Sequence, residues 1–237
     1  MQAATVPAPL DTAALAAVLR AYENNVRSLL DWAHPERLGQ MLALGQEAAG
    51  ALVAQLTALQ GARAAAARAD CGTALSRCWG LPPPLLDRWR HEPVQRLDAL
   101  PPALGLGVLR MRALRYRRAE VRRLIDRASR QRLSAWVGVP LDALVGDGDG
   151  AVSRRNAGLR PLASLDEATL ALEGHALLRR DFSLQHSPCP LLLLALPATV
   201  VEAERQMPVQ GSDDPDGSRF VFEALPELLP EWSWLFG

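Results

Sequence analysis

Four histidines, three cysteines and a dense arginine segment are the side chains here whose types could serve a reaction or a ligand. His34 stands before Pro35, where a histidine could act as a general base. No nucleophile or carboxylate pair of diagnostic spacing lies near it in sequence, so a junction histidine bonded to backbone is expected instead. Cys71, Cys78 and His91 match no paired-cysteine zinc spacing and lack an obvious fourth ligand, and buried thiols are the expectation. His175 lies in an otherwise apolar helix and reads as a hydrogen-bonded core histidine. There is no phosphate-cradling glycine loop, no Gly-x-Ser-x-Gly turn and no His-Glu-x-x-His helix. We therefore expect no catalytic, metal or cofactor site, and a protein that is not an enzyme.

The charge distribution says more. Residues 110–132 carry ten arginines, Arg110, Arg112, Arg115, Arg117, Arg118, Arg122, Arg123, Arg127, Arg130 and Arg132, against Glu120 and Asp126 alone. From residue 202 onward eight acidic residues face two arginines. Guanidinium forks suit carboxylates and phosphates alike. The arginine segment can therefore be balanced inside the fold, dock an acidic protein, or bind nucleic acid through its phosphates. A formal net charge of zero weighs against nucleic acid. The chain has no lysine, which fits a GC-rich coding bias as well as any anion-binding role.

The elements that must position these residues read as helices. Leu15, Val18, Leu19, Tyr22, Val26, Leu29 and Leu30 repeat at helical spacing after a cap at Asp11 or Thr12. His34-Pro35 ends that helix, and Pro35 suits the first turn of the next. Residues 46–70 are alanine-rich with Leu52, Val53, Leu56 and Leu59 as their apolar stripe. Helices are expected over 103–116 and 119–137, the second burying Leu124, Ile125 and Trp136; Trp32 is expected in the core as well. Ser164-x-x-Glu167 has capping-box spacing before a helix ending near Arg180. A short helix is expected over 189–196, a strand is conceivable at Phe220-Val221-Phe222, and Trp232 and Trp234 belong to an aromatic end that looks exposed.

The expected fold class is mainly α: a compact, irregular multi-helix domain with at most a small strand component near the C-terminus. Its organisation is a frayed 1–10, a helical part over 11–146, a linker or insertion over 147–160, a second helical part over 161–201 packing on the same core, and an acidic, aromatic tail over 202–237. The linker assignment rests on Asp-Gly repeats with little to bury. Residues 1–10 lack the pattern of a secretory signal, and the run Leu191–Leu196 falls far short of the ~20 apolar residues of a membrane helix. Three cysteines cannot all pair within one chain. A reducing, aqueous compartment follows as the expectation.

Three stretches carry a resemblance. They are residues 21–38, with the His-Pro turn; residues 96–126, with Leu100-Pro101-Pro102 and the arginine helix; and residues 170–180, followed by Leu191–Pro197. In order and spacing they resemble the SctK-type cytoplasmic accessory proteins of bacterial type III secretion systems, closest in style to the Hrp branch. The resemblance spans roughly residues 12–200, and the 147–160 insertion and the tail fall outside its pattern. It implies a non-enzymatic adaptor of the cytoplasmic sorting platform, peripheral to the inner-membrane secretion complex. Its partners would be the pod protein (SctQ type) and the cytoplasmic domain of the inner-membrane ring protein (SctD type), with no nucleic acid and no membrane insertion. The candidate contact residues are His34, Pro35 and Arg37, together with Arg118, Arg122, Arg123 and Arg127. The competing reading is a helical nucleic-acid-binding or regulatory protein that uses the arginine-rich segment 110–132.

Overall fold

The computed structural model describes residues 9–58, 61–145, 160–201 and 214–236. The fold is all-helical, and no strand occurs among the described residues. The 147–159 part of the linker, and residues 202–213 of the tail, lie outside them. Phe220-Val221-Phe222 falls inside a helix rather than a strand, with Val221 and Phe222 buried at a spacing a helix accommodates. The chain divides into two compact units: residues 1–102, 189–199 and 231–237 form the first, residues 103–188 and 200–230 the second.

The first unit is built from α1 (Thr12–Arg27), α2 (Leu29–Trp32), α3 (Pro35–Leu42), α4 (Gln46–Ala58), α5 (Ala62–Cys78) and α6 (Leu86–His91). Asp11 caps α1 by accepting a 2.7 Å hydrogen bond from the Ala14 N–H. The apolar stripe of α1 and α2 buries Val26, Leu29 and Leu30 against Leu38 of α3, Ala49 of α4, and Leu191 and Leu194 from the later stretch. The glycine at position 72 has a packing reason. A Cβ there would lie 2.4 Å from the Val26 carbonyl oxygen, so α5 crosses α1 at a distance only glycine permits. Cys71 and Cys78 on α5 are exposed, contrary to the expectation of buried thiols, whereas Cys189 is buried. The reason is that α5 turns little more than Gly72 inward.

Buried polar groups tie the unit's distant stretches together. Asn25 donates through Nδ2 to the carbonyls of Asp98 (2.8 Å) and Leu100 (2.6 Å). The Asp98 carboxylate accepts from the Leu191 N–H at 3.1 Å and the Leu192 N–H at 2.9 Å, where the 3-10 helix Leu192–Ala195 begins. Arg96 is buried as well. It donates to the carbonyls of Trp89, Arg90 and Leu235. Leu235 and Phe236 are buried, so the aromatic end of the chain is exposed only in part, at Trp234.

The second unit contains α7 (Pro102–Tyr116), α8 (Arg118–Arg123), α9 (Arg127–Val137), α10 (Leu141–Val145), α11 (Glu167–Asp181) and α12 (Pro215–Leu228). From Gly105 to Leu114 every residue of α7 is buried, arginines included. Gly174 of α11 crosses α7 so closely that a Cβ would come 1.7 Å from the Leu109 carbonyl oxygen. The cap of α11 is not the expected Ser164–Glu167 box. Asp166 accepts from the Thr169 N–H at 2.7 Å, while Ser164 closes a 3-10 turn by donating to the Pro161 carbonyl. An aspartate with strong capping preference two residues nearer the helix displaces the serine.

The largest departure from expectation is at residues 124–126. The single helix expected over 119–137 is broken there into α8 and α9, because the Asp126 carboxylate accepts from the Ser129 N–H at 2.6 Å and starts a new helix. The apolar stripe therefore does not continue. Leu124 and Trp136 are half-buried, and Ile125, expected in the core, is 96% exposed. Trp32 is also only half-buried, its Nε1 donating to the Asn25 carbonyl at 3.0 Å.

Candidate interaction surfaces

Two groups of residues were singled out from sequence, and they belong to different units. His34, Pro35 and Arg37 sit at the start of α3 in the first unit, all half-buried. Pro35 occupies the first helical position, and the His34 ring accepts from the Glu36 N–H through Nδ1 at 3.3 Å, capping the helix. The His34 N–H donates to the Leu194 carbonyl at 2.8 Å, and Arg37 Nε donates to the Leu196 carbonyl at 3.2 Å. Thr199 donates its hydroxyl to Glu36 Oε2 at 3.2 Å. The junction thus clasps residues 194–199 onto α3. Its polar groups serve that clasp, as expected for a junction histidine.

The arginine segment divides by depth. Arg110, Arg112 and Arg117 are buried. Arg110 Nη1 lies 2.8 Å from Glu167 Oε1 and 2.9 Å from the Trp136 carbonyl. Arg117 grips Glu173 with two nitrogens, Nε at 2.7 Å from Oε1 and Nη2 at 2.8 Å from Oε2. It also reaches Glu120 at 3.0 Å and the Arg160 carbonyl at 2.8 Å. Arg112 is held by Asp181, Asp214 and the Ser218 hydroxyl, on α11, before α12 and on α12. Much of the positive charge is therefore spent inside the unit, in bidentate and charge-assisted bonds. That is the intramolecular balance weighed from sequence, and Asp214 of the acidic tail contributes to it.

The electrostatics follow the burial. Loss of solvent pulls the Arg110 guanidinium below its ordinary value, with Glu167 opposing the shift. Burial also lowers Arg115, and the neighbouring Arg118 adds to the effect. Arg115 stacks 3.9 Å above the Phe220 ring and donates to the Leu144 carbonyl at 3.0 Å.

The outward-facing arginines are fewer. Arg122, Arg123, Arg127 and Arg132 are exposed, and Arg118 is half-buried. Arg122 Nη2 donates to the Val145 carbonyl at 2.8 Å, which anchors its stem on α10. Arg118 donates to the Arg115 carbonyl at 3.3 Å, and Arg132 lies over the Trp136 ring at 5.2 Å. Arg130 pairs with Asp142 at 2.7 Å. Of the four candidates in this segment, then, Arg122, Arg123 and Arg127 share an exposed stretch around the α8–α9 break, and Arg118 is set deeper.

Sequence reasoning missed several residues that shape these surfaces. Ile125 emerges between Arg123 and Arg127. The signal that could have found it is Asp126 three residues before Ser129, a capping aspartate inside what reads as a continuous helix. The inward arginines were also foreseeable, since α7 has apolar residues on every face and leaves no solvent side for Arg110 or Arg112. His175 is buried, with Nε2 2.9 Å from the Ser187 hydroxyl, and fits the core histidine expected. Among the described residues no group of three or more His, Cys, Asp or Glu could hold a metal ion, and no helix is long and apolar enough to cross a membrane.

The family model described as bacterial type III secretion protein (HrpB4) matches residues 7–231. No curated protein and no solved structure matches the chain.

Proposed function

Because the chain belongs to the HrpB4 family of bacterial type III secretion proteins, we propose that it is a non-enzymatic adaptor of the cytoplasmic sorting platform. In this reading it plays the part of the SctK-type accessory proteins of the Hrp branch. It links the pod protein to the cytoplasmic domain of the inner-membrane ring protein, and works in the cytoplasm against the inner-membrane complex.

The observation that carries the proposal is the family match over nearly the whole chain, in the same stretches whose order and spacing resemble the SctK-type proteins. The geometry supports a protein-facing surface in the second unit. Arg122, Arg123 and Arg127 are exposed, while Arg110, Arg112 and Arg117 are paired with carboxylates within the unit. Such a rim steers an acidic partner and fixes its register. The His34–Arg37 junction contributes to the first unit's surface by holding residues 194–199 in place.

Paired pull-downs from the native host, with and without nuclease, test this. An adaptor retains pod or ring protein after nuclease treatment. Recovery of nucleic acid with neither subunit would replace it with the nucleic-acid reading, in which log affinity falls with log salt at a slope of about −0.9 per phosphate contacted on duplex DNA.

A further inference from the structure

Residues 81–85 run Leu-Pro-Pro-Pro-Leu between α5 and α6 in the first unit, and form neither helix nor strand. A proline triplet serves either as a rigid connector or as a polyproline ligand. Each proline ring fixes its own φ, and Leu81, Pro82 and Pro83 each precede a proline, which holds them in extended geometry. The stretch is thus set in the polyproline form before any partner arrives. Both ends are tied down. Gly80, at φ 62°, closes α5, and the Leu81 N–H donates to the Ser76 carbonyl at 3.3 Å. At the other end the Trp89 N–H donates to the Leu85 carbonyl at 3.0 Å, and Trp89 is buried.

The way this stretch meets its surroundings sets it apart from a connector. A connector gains by packing its apolar rings onto the helices it joins. Here Pro82 and Pro83 are exposed, and Leu85 and Leu86 are 56% and 43% exposed. A cleft of about 330 Å³ lies along the ridge, lined by Tyr22, Glu23, Val26 and Arg27 of α1 together with Pro82, Pro83 and the end of α5. The ridge also lacks donors, because proline has no N–H. The carbonyls of Pro82, Pro83 and Pro84 accept no hydrogen bond from any described residue. It therefore offers apolar rings and open acceptors, side by side, at a fixed place.

We propose that Pro82-Pro83-Pro84-Leu85 is a polyproline-type docking ridge, and that its occupant is a partner protein's groove lined by tryptophan or tyrosine. Hydrogen-bond complementarity selects that occupant. Tryptophan and tyrosine each join a flat apolar face to one edge donor, which matches a surface of proline rings and unbonded carbonyls. Leu85 and Leu86 extend the apolar contact beyond the prolines. A second copy would offer Trp232 and Trp234. Their rings are 36° from parallel with centroids 5.9 Å apart. A proline between two rings needs about 7 Å for carbon contact on both faces, so that pair admits none. The ridge does not depend on the adaptor reading.

Photocrosslinking in the native host tests the ridge. The full-length chain carries a benzophenone amino acid in place of Asp87, which is exposed and leaves residues 81–86 intact. Adducts are mapped by mass spectrometry in this background, in Leu85→Ser, and in the double variant Pro82→Ala, Pro83→Ala. The expected adduct is a partner-protein peptide that contains or adjoins tryptophan or tyrosine. Its yield should fall by about tenfold in both variants, as for the loss of an interface anchor. The melting temperature of Leu85→Ser should not change, since that side chain is largely in solvent. An unchanged yield in both variants overturns the ridge, and a lower melting temperature in the double variant alone would then mark the prolines as a connector. The absence of any protein adduct overturns it as well. An adduct only with a second copy, or with a partner segment free of aromatic residues, overturns the proposed occupant. None of these results bears on the adaptor reading, which the nuclease-treated pull-downs decide.

Discussion

Arg112 and Asp181 form an ion pair from which solvent is completely excluded, each with a side chain at 0% exposure. Burial alone raises the Asp181 carboxyl. The Arg112 guanidinium, with the Ser218 hydroxyl and Arg180, outweighs that and leaves it below the ordinary carboxylate range. The pair joins α7 to the end of α11, and Asp214 and Ser218 extend it to α12. Removing one member strands the other charge where water cannot reach it. Arg112→Ala should cost about 3–5 kcal/mol in denaturant unfolding. A loss below about 1 kcal/mol would show that Arg180 and the Ser218 hydroxyl satisfy Asp181 without it.

The crossing of α7 and α11 gives a sharper steric test. A methyl at position 174 would meet the Leu109 carbonyl, a backbone atom that cannot swing aside. Gly174→Ala should be destabilising beyond the roughly 1–3 kcal/mol of ordinary overpacking, since two helices must part. Gly50 lies within α4 with nothing in the way of a Cβ, and Gly50→Ala should stabilise by about 0.5–1 kcal/mol. Thermal melts of the two variants should shift in opposite directions.

The two units should respond oppositely to pH. Burial pushes the Asp98 carboxyl up to about 7, with the Leu192 and Leu191 N–H groups opposing the shift. Between its unfolded value of 3.8 and about 7 the folded state binds the proton more tightly. The stability this group contributes is therefore full at acid pH and lost as pH rises through about 7. Asp181 is shifted the other way, so its contribution is present above the ordinary carboxylate pKa and lost as pH falls below it. Hydrogen exchange at the Leu191 and Leu192 amides should speed up from pH 5 to pH 8, after correction for intrinsic exchange. Asp98→Asn should abolish the trend. It should also cost about 1–3 kcal/mol, because the two N–H groups bond different carboxylate oxygens and the amide NH2 that replaces one of them cannot accept.

Charge reversal at Arg122 and Arg123 probes the outward face. Both side chains are exposed, and the double glutamate variant would lose the Arg122 bond to the Val145 carbonyl. Stability should change by about 1 kcal/mol or less. Capture of an acidic secretion subunit should fall steeply, since like charges across an interface cost several kcal/mol. Equal capture by the reversed variant would place the contact surface elsewhere, with the His34–Arg37 side as the next to examine.

Helix was legible where apolar residues recur on one face, as from Leu15 to Leu30, and where a proline or aspartate marks an end, as at Pro35 and Asp11. The break at Leu124–Asp126 was not, because Val121, Leu124, Ile125 and Ala128 keep helical spacing across it. A side-chain cap at Asp126 prevailed over periodicity, and Ile125 moved from core to surface as a result. The arginines posed a different problem. Internal balance was one of three readings, but the partners Glu167, Glu173, Asp181 and Asp214 are separated from the arginines by 50 or more residues, and local charge counting could not choose among the three. Asp98 gave no local sign at all. Its role depends on two amide groups more than 90 residues away.

That last separation bears on how the protein is made. The first unit is complete only when Leu191, Leu194 and Leu235 have joined residues 9–102. A ribosome delivers the α1–α5 stretch early and its closing pieces after most of the chain has been polymerised. Until then Asp98 has no Leu191 and Leu192 amides to bind, and the Leu29–Leu38 face lacks part of its cover. At about 5–20 residues per second the delay lasts on the order of ten seconds. Nascent chains stalled before Cys189 should therefore expose apolar surface and recruit holding chaperones, even though every helix from α1 to α6 has already left the exit tunnel.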